Sequence, residues 1–151
     1  QSPGEDWTPT WSPDGSQLAF SSRRYNGTWD IFTMNPDGTG VGQLTNDEWD
    51  NWLPDWSPDG SQIAFSSNRD GNWDIFTMDT SGSSLRQVTI QSSLDTEPVW
   101  SPDGSELAFA STRGDSRGLE IFFVDLESGA VSASGQAGYP TDWFAGIGGS
   151  E

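Results

Sequence analysis

Trp11-Ser12-Pro13-Asp14-Gly15-Ser16-Gln17-Leu18-Ala19-Phe20-Ser21-Ser22 is the stretch whose reading decides the fold. It returns as Trp56-Ser57-Pro58-Asp59-Gly60-Ser61-Gln62-Ile63-Ala64-Phe65-Ser66-Ser67, and again as Trp100-Ser101-Pro102-Asp103-Gly104-Ser105-Glu106-Leu107-Ala108-Phe109-Ala110-Ser111. The leading tryptophans stand 45 and then 44 residues apart. A fixed period of this size marks a repeat architecture. Within each copy, Ser-Pro-Asp-Gly reads as a tight turn. Pro presets φ at the second position, Asp suits the third, and Gly supplies a positive φ at the fourth. The run after it is short and apolar-rich, as a buried strand should be.

Reading outward, each copy sits in a unit of four short strands. In the first unit these are Thr8 to Ser12, Gln17 to Ser22, Thr28 to Met34 and Val41 to Thr45, with Asn35-Pro36-Asp37-Gly38 as a second hairpin turn. The units span about 7–46, 52–90 and 96–135, and residues 136–151 look like a degenerate fourth first-strand or tail. Helix signals are nearly absent, and 18 Gly and 9 Pro punctuate the chain as in all-β proteins. The middle strands are apolar on both pleat faces, so each sheet needs cover on both sides. Four strands in about 40–45 residues is the size of a propeller blade. The expected fold is therefore all-β, an arc of three four-stranded blades within one domain, 1–151.

The repeated Trp-Ser-Pro-Asp-Gly-Ser-Gln-Leu-Ala-Phe-Ser-Ser, followed by Trp29-Asp30-Ile31-Phe32-Thr33-Met34-Asn35-Pro36-Asp37-Gly38, resembles the WD40-like repeat of TolB-type β-propellers. The resemblance runs over residues 7–134. The third unit departs from it, with Leu119-Glu120-Ile121-Phe122-Phe123-Val124 in place of Trp-Asp-Ile-Phe-Thr-Met. The resemblance implies a ring of six or more blades. It also implies, as in some extracellular propellers, a cation in the central channel.

The composition narrows the partners. Net charge is −17, from 23 acids and 6 bases, all Arg. That balance argues against nucleic acid, which needs cationic side chains to displace counterions, and against an anionic membrane surface. It favours cations or basic partners. No apolar run is long enough for a membrane helix, so no membrane insertion is expected. The chain opens Gln1-Ser2-Pro3-Gly4, without the pattern of a leader peptide, and is read as a mature form or a cut piece. With no Cys it suits an exported protein, extracellular or periplasmic. His, Cys and Lys are all missing, which removes the usual general base and the His-dependent triads. A carboxylate pair could still serve glycoside cleavage, but none stands out from the repeats. A non-catalytic binding and assembly module is expected.

Three blades are fewer than a ring requires. The sequence therefore predicts completion by a second copy, by a stack of copies forming a filament, or by the remainder of a longer extracellular propeller that binds a peptide or glycan. The open face of blade one is assigned to Leu18, Phe20 and Phe32, and that of blade three to Leu107, Phe109 and Phe122. The segment from Tyr139 to Trp143 has the pattern of a first strand and is expected to cross the joint.

Three sites carry possible chemistry. Asp6, Asn51 and Asp95 each stand three residues before a Pro, in loops expected to gather on one face. Such a ring of oxygens would suit Ca²⁺ or Mg²⁺; the alternative is that these side chains cap strand ends. Asp70-Gly71-Asn72-Trp73-Asp74 resembles the start of a calcium loop but lacks its later Gly and Glu, and is read as a hairpin turn. Trp11, Trp56 and Trp100 are assigned to the core between blades. Trp7, Trp49 and Trp52 lie in the acidic loops, where they could stack on a sugar or anchor a partner, or simply cap the face.

Overall fold

The Ser-Pro-Asp-Gly turns form as their residue types demand. In the computed structural model, which describes residues 4–114 and 118–140, Gly15, Gly60 and Gly104 hold φ of 70°, 71° and 73°. Each donates its N–H to the Ser carbonyl three residues back, at 2.8 to 2.9 Å. The Ser12 hydroxyl donates to Asp14 Oδ1 at 2.7 Å and accepts the Gln17 N–H at 2.9 Å. Ser57 and Ser101 repeat this arrangement with Asp59 and Asp103. The turn is thus held by its own side chains.

These turns join strands into three antiparallel sheets. The first holds β1 (Asp6–Trp11), β2 (Leu18–Ser22), β3 (Asp30–Met34) and β4 (Gly42–Gln43) in that order. The second holds β5 (Asn51–Trp56), β6 (Gln62–Ser67), β7 (Asp74–Asp79) and β8 (Arg86–Gln87). The third holds β9 (Asp95–Trp100), β10 (Glu106–Ser111), β11 (Glu120–Asp125) and β12 (Val131–Ala137). No helix occurs among the described residues. The register places Phe20 opposite Phe32, Phe65 opposite Phe76 and Phe109 opposite Phe122. The outer strands β4 and β8 are two residues long, shorter than the sequence suggests.

Each first strand is broken at its third residue. Thr8, Leu53 and Glu97 have φ of 52°, 57° and 55°, a left-handed backbone that residues with a Cβ rarely adopt, and the ladder slips there. The break releases a donor toward the neighbouring sheet. Leu53 N–H reaches Ser21 Oγ at 3.2 Å, and Glu97 N–H reaches Ser66 Oγ at 3.1 Å, each in the preceding blade.

The core lies between the sheets. Trp56, Ile63, Phe65, Phe76 and Met78 of blade two pack on Ala19 and Ile31 of blade one. Trp100, Leu107, Phe109, Phe122 and Val124 of blade three pack on Ala64 and Ile75 of blade two. One face of every blade is therefore bulky and looks back, and the other is small and looks forward.

This directionality corrects three expectations. Leu107, Phe109 and Phe122 do not form an open face; they are the inner half of the joint with blade two. Blade three's far side carries Ala108 and Ile121 instead, the counterparts of Ala19 and Ile31. On blade one, Leu18 is half-buried, while Phe20 and Phe32 are only 2% and 1% exposed. Arg24 lies over both rings, 5.0 Å from each centroid, and Tyr25 packs against Phe32. Finally, Trp56 and Trp100 are 7% exposed, as blade wedges should be, whereas Trp11 is 57% exposed. Tyr139 is exposed and Trp143 lies outside the described residues.

The joints extend to the turns. A Cβ on Gly82, at φ 81°, would come within 2.5 Å of the Leu44 carbonyl oxygen in the preceding blade. Gly82→Ala is expected to cost about 1–3 kcal/mol, read from the urea midpoint. Gly71→Ala, with open space around it, should cost only the strain of its positive φ, about 1–2 kcal/mol. Equal losses at the two positions would mean that the Leu44 contact is absent.

Candidate functional site

Strand starts, strand ends and the β2–β3, β6–β7 and β10–β11 loops collect on one face. Its repeated feature is arginine. Arg24, Arg69 and Arg113 follow the last Ser of each β2-type strand by two residues, and each bonds that Ser hydroxyl through Nε at 3.0 to 3.1 Å. Each guanidinium lies over its blade's Phe pair. The terminal nitrogen then reaches the first residue of the innermost strand. Arg24 bonds Asp6 at 2.8 Å, Arg69 bonds Asn51 at 2.9 Å and Asp47 at 3.0 Å, and Arg113 bonds Asp95. Burial grows along the series: the Asp6 side chain is 48% exposed and that of Asp95 is fully buried.

The positions expected to offer oxygens to Ca²⁺ are thus each engaged by a guanidinium of their own blade. Asp95 has both oxygens taken, Oδ1 accepting the Ser111 hydroxyl at 2.5 Å. Among the described residues no three acidic side chains cluster as metal ligands. The surrounding acids serve the loops: Asp47 accepts from Trp49 N–H and Asn51, and Asp50 accepts from Trp29 N–H at 3.0 Å. At Asp70–Asp74, Gly71 closes a turn onto the Asn68 carbonyl. Asn72 spends its amide on the carbonyls of Gln91 and Ser93.

The arginines recur 45 and then 44 residues apart, but the sequence reading gives them no role. Trp29 reads only as part of the third strand. Trp7 and Trp52, expected on this face, are brought together through it, edge-to-face at 6.5 Å and 4.8 Å. Arg23 lies 5.3 Å from the Trp29 centroid. Trp7 is 54% exposed, so the cluster meets solvent. Trp49 is exposed in its loop, its carbonyl accepting from Asn51.

Two classes of carboxylate oppose one another in acid. Hydrogen bonds hold Asp14 and Asp103 down at about 2, led by the Ser16 backbone N–H and the Ser101 hydroxyl respectively. Hydroxyl donors from Thr39, Ser57, Ser81 and Ser128 lower Asp37, Asp59, Asp79 and Asp125. Burial raises Asp30, Asp74 and Glu97. Groups lowered in the fold lend stability above their unfolded pKa and lose it as pH falls through the folded one. Raised groups lend stability at low pH and lose it as pH climbs through their folded values. The lowered set is larger, so the urea midpoint should fall between pH 4 and pH 2, near the values of Asp14 and Asp103. A flat or rising midpoint in that window contradicts the turn network.

Stacked four-stranded antiparallel blades joined outer strand to next inner strand define a β-propeller arc, and its loop face carries no triad or metal cluster among the described residues. A sequence profile of the TolB beta propeller domain matches residues 1–93 and 43–141. The chain belongs to that family. A TolB-type protein from Agrobacterium tumefaciens superposes with a TM-score of 0.77 at 30% identity, over 85% of this chain and 48% of that one. TolB from Acinetobacter baumannii gives 0.70 at 26%, over 83% of this chain and 31% of that one. The present chain therefore spans about half and a third of these two. Oligogalacturonate lyase from Vibrio parahaemolyticus, at 14% identity and a TM-score of 0.64, covers 84% of this chain and 38% of its own; it shares the fold alone. Comparison with curated protein sequences finds no match.

Proposed function

We propose that this chain is a non-catalytic binding and assembly module, working outside the cytoplasm, whose three-blade arc joins other copies head to tail into a ring or filament. The carrying observation is Trp11. Its counterparts Trp56 and Trp100 are wedged between blades, and it alone of the three is exposed. Blade one thus exposes the Trp11 wedge of a joint, its Phe20 and Phe32 already lying under Arg24 and Tyr25, and blade three carries Ala108 and Ile121, themselves buried, the counterparts of the residues that receive such a wedge elsewhere. Coverage of 48% of the Agrobacterium chain supports the arithmetic, since a pair of arcs is comparable in extent to that one chain. In this reading the arginines, rather than Ca²⁺, neutralise the starts of the inner strands. Placing a charge in the joint tests the reading: Trp11→Asp should dissolve the assembly in sedimentation velocity, while Trp49→Asp should not. Assembly unaffected by Trp11→Asp would overturn it.

A second reading, part of a longer propeller whose loop face takes a peptide or glycan, is favoured by the Trp7, Trp29 and Trp52 cluster. Neither reading includes turnover. Incubation with peptides, esters and acidic polysaccharides is expected to yield no product. Product formation that a single carboxylate substitution abolishes would refute the non-catalytic assignment.

A further inference from the structure

Six Asn-Gly or Asp-Gly pairs occur in the chain: Asp14-Gly15, Asn26-Gly27, Asp37-Gly38, Asp59-Gly60, Asp70-Gly71 and Asp103-Gly104. In such a pair the glycine nitrogen can attack the carbonyl carbon of the preceding side chain, because no Cβ stands in the way. Five of the six are guarded. The N–H groups of Gly15, Gly38, Gly60, Gly71 and Gly104 each donate to the carbonyl three residues back, at 2.8 to 3.1 Å. The carboxylates of Asp14, Asp37, Asp59 and Asp103 are held as well, each accepting a Ser or Thr hydroxyl. Asn26-Gly27 differs on each count. It is the amide of the set, so its leaving group is ammonia. Both residues are exposed. The Gly27 N–H has no hydrogen-bond partner among the described residues. Its φ is 86°, and nothing lies within 4 Å of where a Cβ would stand. Asn26 Nδ2 makes a long bond to the Asp47 carbonyl at 3.3 Å, which it shares with the Thr28 hydroxyl.

We propose that Asn26 is a site of self-modification, where the chain deamidates to aspartate and isoaspartate with water as co-reactant. The Gly27 nitrogen loses its proton to solvent base and bonds to Asn26 Cγ. The Cγ–Nδ2 bond breaks, and Nδ2 leaves with a proton as ammonia. Water then opens the succinimide ring at either carbonyl. One opening leaves aspartate, and the other carries the backbone through the side-chain carbon as isoaspartate. Nothing is oxidised or reduced. The product is a carboxylate where a donor stood, facing the Asp47 carbonyl, and it adds one negative charge to a chain already at −17. Two acceptors in place of a donor and an acceptor repel, and the bond is lost. Asp30 feels the change too: burial raises its carboxyl, and side-chain donors from Thr45 and then Asn26 pull it back. The loop 47–50 carries Asp47, which pairs with Arg69, and Asp50, which accepts the Trp29 N–H. Deamidation therefore loosens the segment leading into β5, irreversibly and at the pace of the reaction. The inference holds whether the arc self-associates or belongs to a longer propeller.

Ageing the full native chain in mildly alkaline buffer tests it, read by ammonia release, peptide mapping by mass and enzymatic methylation of isoaspartate. The change is expected in the peptide carrying Asn26, several-fold faster than in mildly acidic buffer, because the attacking nitrogen must lose its proton. Asn26→Gln keeps the amide but needs a larger ring, and should release no ammonia on the same timescale. The Asp-Gly pairs should form isoaspartate several-fold faster in mildly acidic urea than in the native chain; equal rates would remove the protection argued from the turns. Asn26→Asp, which copies one product, should lower the urea midpoint more than Asn26→Ala, which only removes the donor. An intact Asn26 after ageing, or a rate independent of pH, overturns the site. Equal midpoints for the two variants overturn its effect on the loop.

Discussion

Arg113→Met is expected to unfold most readily of the three arginine variants, losing about 3–5 kcal/mol. The methionine keeps much of the stem over Phe109 and Phe122 but removes the charge. Asp95, fully buried, is then left with the Ser111 hydroxyl as its remaining side-chain donor among those bonded to it here. An uncompensated carboxylate in that position is strongly unfavourable, which is why breaking a buried pair costs more than the pair itself contributes. Arg24→Met removes the equivalent charge from an Asp6 that is half in solvent, and its ion-pair loss should be no more than about 1 kcal/mol. Urea titrations of the two variants should therefore separate widely. The double variant Asp95→Asn with Arg113→Met should recover part of the loss. Similar midpoints for Arg24→Met and Arg113→Met would contradict the gradient of burial along the arc.

Trp56→Ala and Trp100→Ala should each cost about 3–5 kcal/mol, as large-to-small changes in a packed core do. Both rings fill the space between two sheets, and Trp100 also donates Nε1–H to the Asp55 carbonyl at 3.2 Å. Trp56 Nε1 is buried without an acceptor among the described residues, so its loss forfeits packing alone and should be the smaller of the two. Trp11→Ala distinguishes the readings of blade one. If the joint is made between copies, its cost grows with protein concentration, because association stabilises the folded form by mass action. A cost near zero at every concentration would mean that the Trp11 face stays in water.

Much of the fold was legible because each turn is specified by local chemistry and repeated three times. The blade faces were less so. Pleat alternation sorts Leu18, Phe20, Leu107 and Phe109 onto bulky faces, yet a period of two says nothing about which neighbour such a face meets. That depends on the order of blades around the axis, so Leu107, Phe109 and Phe122 were placed on an outer surface when they meet blade two. The small residues opposite them, Ala64 and Ile75, were the available clue. The site was half legible for a related reason. Asp6, Asn51 and Asp95 were found as equivalents, but pairing them with Arg24, Arg69 and Arg113 requires the return of the second strand beside the first.

Light scattering on the intact chain across a range of concentrations tests the central claim most directly, that the blade-one face carrying the exposed Trp11 on one copy meets the Ala108 and Ile121 face of blade three on another. The account predicts a mass of at least two chains, discrete for a closed ring and very large for a filament. A single species of 16.4 kDa at every concentration, melting in one sharp transition, would contradict it.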